Sequence, residues 1–159
     1  MAIGGRSVDR AICVGSIPPE LEAVWRNLRS AGVEVELYER GADSGAEQGV
    51  DQCLQVHMLR AIVDIQPPGV AMLVTGDGAG YAQSKGFYAD LERMHKLRWG
   101  IELLSWDVAC NKRLKKWSEK VGDYIKLDDF YEYVTFRQRG RNAQSVTRRR
   151  RYSQPKSRT

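Results

Sequence analysis

Val70-Ala71-Met72-Leu73-Val74-Thr75-Gly76-Asp77-Gly78 is the stretch that decides the fold. An apolar run stops at a small residue, a glycine and one carboxylate. A parallel strand covered on both faces reads this way. In open parallel sheets, ligands bind beyond the carboxyl ends of the strands. Asp77 is therefore expected at the mouth of a crevice. A cap on the helix that follows accounts for it equally well.

The flanking sequence repeats the same grammar. Arg10-Ala11-Ile12-Cys13-Val14-Gly15-Ser16 reads as a short buried strand closed by turn residues. Pro18-Pro19-Glu20 opens a helix carrying Leu21, Val24, Trp25 and Leu28 at helical spacing, and Gly32 ends it. Residues 33–38 alternate with period two, which predicts a strand toward the sheet edge with one exposed face. Residues 40–49 are polar and rich in small residues, hence a loop. Val50, Leu54, Met58, Leu59, Ile62 and Ile65 line one face of a helix that Pro67-Pro68-Gly69 stops. Beyond Asp77, the pattern predicts a helix over 83–97, a strand over 100–106, a basic helix over 112–121 and a last short strand over 124–127. Residues 130–136 are aromatic and suit either a short helix or an added strand. Strands alternating with helices predict a three-layer α/β/α sandwich around a parallel sheet.

Composition limits the function classes. The 159 residues are 42% hydrophobic and 28% charged, an ordinary soluble balance. No apolar run approaches the roughly 20 residues that span a bilayer, and the first ten residues lack the apolar core of a secretory signal. Cys13, Cys53 and Cys110 show no paired metal spacing and are read as three small buried side chains. An odd number of thiols favours an intracellular setting, cytoplasmic or nuclear. A homodimer is left open. The net charge of +5 divides unevenly. Residues 137–159 hold nine Lys or Arg and no acid, so residues 1–136 carry 16 basic and 20 acidic groups, a net of −4. The division predicts a folded domain over 1–136 and a disordered basic tail over 137–159. The run Arg148, Arg149, Arg150, Arg151 suits nucleic-acid phosphates, a nuclear-import address or plain solvation.

Three acids sit where strands end or helices begin: Asp51, Asp77 and Asp107. Grouped carboxylates repel unless a hard cation such as Mg²⁺ lies among them. Metal-bound water could then attack a phosphodiester in line. Asp51 and Asp107 are equally good helix caps. Lys112, Arg113, Lys115 and Lys116 lie together on the basic helix, where they would meet phosphates or simply face solvent.

At these residues the chain resembles the NYN domain, a branch of the PIN-like ribonuclease superfamily. The resemblance rests on Gly49-Val50-Asp51 leading into a helix, on Leu73-Val74-Thr75-Gly76-Asp77-Gly78, and on Gly122-Asp123-Tyr124-Ile125-Lys126-Leu127 after a further strand and helix. It implies an α/β/α sandwich, a hydrolase acting on RNA phosphodiesters, and Mg²⁺ or Mn²⁺ held by Asp51 and Asp77 with Asp107 as an accessory. Asp123 matches a position near the last strand, which packing or capping explains as well.

The departures from the family pattern are specific. Members begin with a strand bearing an Asp followed by an Asn, and nothing before Arg10 matches it. Either the chain starts past that strand, or the fold lacks a central strand and keeps an unpaired edge on each side of the gap. His57 stands two turns after Asp51, where members often carry a second acid; imidazole is a poor ligand for Mg²⁺. Ala79 stands where many carry another Asp. Two functions fit this incomplete set: a metal-dependent endoribonuclease, or a degenerate, inactive NYN domain that grips RNA or a protein. A nucleotide-binding protein fits less well, since Thr75-Gly76-Asp77-Gly78-Ala79-Gly80 has neither a Walker lysine nor full Gly-x-Gly-x-x-Gly spacing.

Overall fold

A computed structural model of the chain describes residues 2–3, 6–17, 22–39, 49–77 and 86–135. In order, these form β1 (Ala2–Ile3), β2 (Arg6–Ser7), β3 (Ile12–Ser16), α1 (Glu22–Ser30), β4 (Glu34–Tyr38), α2 (Val50–Asp64), β5 (Val70–Val74), α3 (Phe87–Lys96), β6 (Gly100–Ser105), α4 (Lys112–Val121), β7 (Asp123–Lys126), a 3₁₀ turn (Leu127–Phe130) and α5 (Tyr131–Val134). The aromatic stretch thus becomes a turn and a short helix rather than a strand. The basic tail, including Arg148, Arg149, Arg150 and Arg151, lies outside the described residues.

The hydrophobic core is built around β6. β5, β6 and β7 pair in that order, all parallel, with Leu73 opposite Leu103 and Leu103 opposite Tyr124. Ile101, Leu103 and Ser105 on one face of β6 are buried, and so is Glu102 on the other. Phe87, Leu91 and Met94 of α3 and Leu114 of α4 complete the core, with Leu54, Met58, Ala61 and Ile62 of α2 packed against it. Each fully buried leucine contributes about 1.5–3 kcal/mol relative to exposure, so Leu91, Leu103 and Leu114 anchor this half of the molecule. Helices flank the parallel strands in a three-layer α/β sandwich, as the alternation predicts.

Two glycines permit close approaches. A Cβ on Gly122 would lie 2.0 Å from the Ile101 carbonyl oxygen, so only glycine lets α4 hand the chain to β7 here. A Cβ on Gly15 would lie 2.8 Å from the Trp25 ring, which α1 lays across β3.

The parallel strands do not form one sheet. β3 pairs with β4, Val14 opposite Glu36, and that pair is separate from β5–β6–β7. Among the described residues, neither β3 nor β5 has a strand on its other edge. A cavity of about 560 Å³ lies between them, bordered by Arg10 and Ile12 on one side and Val70 to Val74 on the other, with Leu54, His57, Met58 and Ala61 of α2 beneath. Among the described residues no strand fills this gap. It also corrects the expectation that β5 is covered on both faces. Leu73 is buried, but Val70 and Val74 are 51% and 54% exposed at the open edge. Arg6, which also borders the gap, reaches Glu102 of β6, Nη1 to Oε1 at 2.6 Å and Nη2 to Oε2 at 2.8 Å.

Candidate functional site

The loop after β5 is held by backbone contacts. The Thr75 N–H donates to the Leu104 carbonyl at 3.1 Å, and the Asn111 N–H donates to the Asp77 carbonyl at 2.7 Å. The Ser105 hydroxyl donates to the Gly76 carbonyl at 2.9 Å. These bonds fix the Asp77 backbone at the C-terminal end of β5 and leave its side chain exposed. Asp77 is not the cap of α3, which begins at Phe87 behind Gly86.

Asp51 is exposed in the first turn of α2. Gly49 occupies the N-cap position with φ +78°, a left-handed backbone that suits glycine, so Asp51 is not the cap. Its carboxylate favours the helix dipole instead. Asp107 follows β6 and is not the cap of α4 either. Asn111 is, its side-chain oxygen accepting from the Arg113 and Leu114 N–H groups at 3.0 and 3.2 Å. The Asp107 carboxylate accepts a hydrogen bond from Lys115 and another from Lys126 at 3.3 Å. These hydrogen bonds hold it below the usual aspartate range. Its own N–H donates to the Asp128 carboxylate at 2.7 Å.

The cations of α4 are unevenly committed. Lys115 serves Asp107 and lies over the Tyr124 ring at 4.9 Å. The Arg113 guanidinium stacks over Tyr88 at 4.7 Å. Lys112 and Lys116 are exposed.

A different trio converges where β4 meets α2. His57 Nε2 lies 2.6 Å from Glu36 Oε1, and the Cys53 thiol donates to Glu36 Oε2 at 3.1 Å. Their ligand atoms lie within 4.8 Å of one another, so this group could hold a metal ion. Asp51, Asp77 and Asp107 form no such group among the described residues. Burial pushes the Cys53 thiol up, and hydrogen bonds from Cys53 and His57 pull Glu36 down. His57 is buried, and its Nδ1 has no partner among the described residues.

Sequence reasoning misses Glu36 because the alternation of β4 assigns its face to solvent. It misses Cys53 as a polar contributor because cysteine usually acts as a small apolar filler. The available signal is Cys53-x-x-x-His57, one helical turn apart on one face.

No family model matches this chain, and no curated protein does. Its fold is similar to that of a crystallised protein of unknown function from Vibrio parahaemolyticus RIMD 2210633, with a TM-score of 0.60 and 20% identity over 79% of this chain and 72% of that one. That likeness concerns the fold alone. No helix among the described residues is long and apolar enough to cross a membrane.

Proposed function

We propose that this chain is an RNA-binding module of the NYN, PIN-like type that grips RNA without cutting it. The observation that carries this is the state of Asp107. Two lysines occupy its carboxylate, which leaves Asp51 and Asp77 as the remaining acids of the expected set. Two exposed carboxylates are a poor cage for Mg²⁺ or Mn²⁺, and neither Asp51 nor Asp77 belongs to a group of three metal-ligating side chains among the described residues. By contrast, α4 carries Lys112, Arg113, Lys115, Lys116 and Lys120 against a single acid, Glu119. Phosphate binding by such a helix gives affinity through counterion release and carries no sequence information.

The test is fluorescence anisotropy with a single-stranded RNA at several salt concentrations. Lys112→Glu with Lys116→Glu should weaken binding and reduce the salt slope by about 0.7 for each phosphate that is no longer neutralised. An unchanged slope would remove α4 from the interface.

A second function, a Mg²⁺- or Mn²⁺-dependent endoribonuclease, is favoured by the rigid backbone that presents Asp77 at a strand end. In that case Asp51→Asn and Asp77→Asn should each remove most cleavage while leaving the fold intact. Cleavage that survives both substitutions would eliminate this alternative.

A further inference from the structure

We propose that Glu36, Cys53 and His57 form a three-ligand site for a borderline-soft divalent cation of the zinc class. The site is independent of the RNA surface on α4. Its geometry is already assembled: an imidazole nitrogen and a thiol sulfur lie 2.6 and 3.1 Å from the two oxygens of one carboxylate. Two of the ligands are fixed by α2, since residues four apart stack on one helical face. The third comes from β4, whose register against β3 sets Glu36 opposite Val14. Ligand positions supplied by a helix and a paired strand need little ordering when a metal arrives.

The donor set selects the ion. Thiolate and imidazole favour Zn²⁺ and its first-row neighbours, whereas Mg²⁺ and Ca²⁺ want oxygen alone. A single carboxylate among three ligands makes a hard cation an unsuitable occupant. Three protein ligands also leave a fourth tetrahedral position for water or another small donor, the arrangement found in zinc sites that do chemistry. The Glu36 side chain is 40% exposed while His57 is buried, so solvent reaches the trio from the Glu36 side.

In the metal-free state, Cys53 and His57 each bond one oxygen of Glu36. The Cys53 S–H donates to one Glu36 oxygen, and a His57 Nε2–H donates to the other. On binding, the thiol proton leaves to solvent and the imidazole proton moves from Nε2 to Nδ1. The metal then takes the place of both hydrogen bonds. The Nδ1–H so formed has no partner among the described residues, so the bound state carries one unpaired buried donor.

Co²⁺ titration of the full-length, metal-stripped chain tests the site, because a cobalt–thiolate bond adds a near-ultraviolet charge-transfer absorption. One equivalent should produce the band, and Zn²⁺ but not excess Mg²⁺ should abolish it. Cys53→Ser should eliminate the band. His57→Gln and Glu36→Gln should each weaken binding by about 10-fold or more, by analogy with the 10–100-fold losses seen when even outer-shell partners are removed. Circular dichroism of each variant establishes that it folds. Absence of the band in the wild-type chain would overturn the proposal without any variant. A band that persists in folded Cys53→Ser would overturn it equally, by assigning the metal to Cys13 or Cys110.

Discussion

Arg6 and Glu102 show how much one residue pair can depend on pH. Arg6 holds the buried Glu102 carboxylate below the usual glutamate range through two hydrogen bonds, against the opposing effect of burial. A depressed folded-state value stabilises the fold above the unfolded value, near pH ~4.3. That contribution disappears as pH falls through the folded value. Urea unfolding at pH 7, 5 and 3.5 should therefore show an acid-sensitive component that Arg6→Ala reduces. If the variant and wild type lose stability in parallel, the pair does not carry it. Asp107 has the same sign for a different cause, its two lysines. At this scale the sequence is least legible. Arg6 and Glu102 are 96 positions apart, and Glu36 and His57 are 21 apart. No local pattern announces a contact across such distances. Asn111 also escapes notice, because Asp107 is an equally good capping type by composition and only the backbone geometry separates them.

The elements themselves are legible because period and punctuation agree. Val24, Trp25 and Leu28 fall on the half-buried face of α1, and Leu114 and Trp117 on the inner face of α4. The misreadings occur where burial depends on a neighbour. β5 has the composition of a strand covered on both sides, yet Val70 and Val74 are exposed because no strand among the described residues joins that edge. β4 alternates like a strand with a wet face, yet Glu36 on that face meets α2. Gly122→Ala is the sharpest test at the level of elements. Its new methyl would press on the Ile101 carbonyl and force β7 away from β6. Overpacking of this kind costs about 1–3 kcal/mol, which thermal denaturation would register as a lower Tm. An unchanged Tm would show that the α4–β7 turn yields freely. Leu103→Ala, at the centre of β6, should cost about 2–5 kcal/mol by leaving a cavity.

At the scale of the molecule, the sheet is divided between β3 and β5, and Asp51, Asp77 and Asp107 form no metal-ligating group among the described residues. A nuclease needs its carboxylates gathered around a cation; a phosphate-binding module needs only a field of exposed lysines. On α4, Lys112, Lys116 and Lys120 are exposed, and Asp107 is paired with Lys115 and Lys126. The tail over 137–159 adds nine positive charges, and removing residues 138–159 should weaken RNA binding mainly at low salt while leaving the unfolding transition in place. The central claim is binding without cleavage. The direct measurement is one labelled single-stranded RNA incubated with a stoichiometric excess of the intact chain and Mn²⁺ or Mg²⁺, followed on native and denaturing gels from the same tube. A module that grips without cutting gives a salt-sensitive shift on the native gel and full-length RNA on the denaturing gel. Fragments made by the wild-type chain and absent with Asp77→Asn would contradict it, as would no shift at low salt.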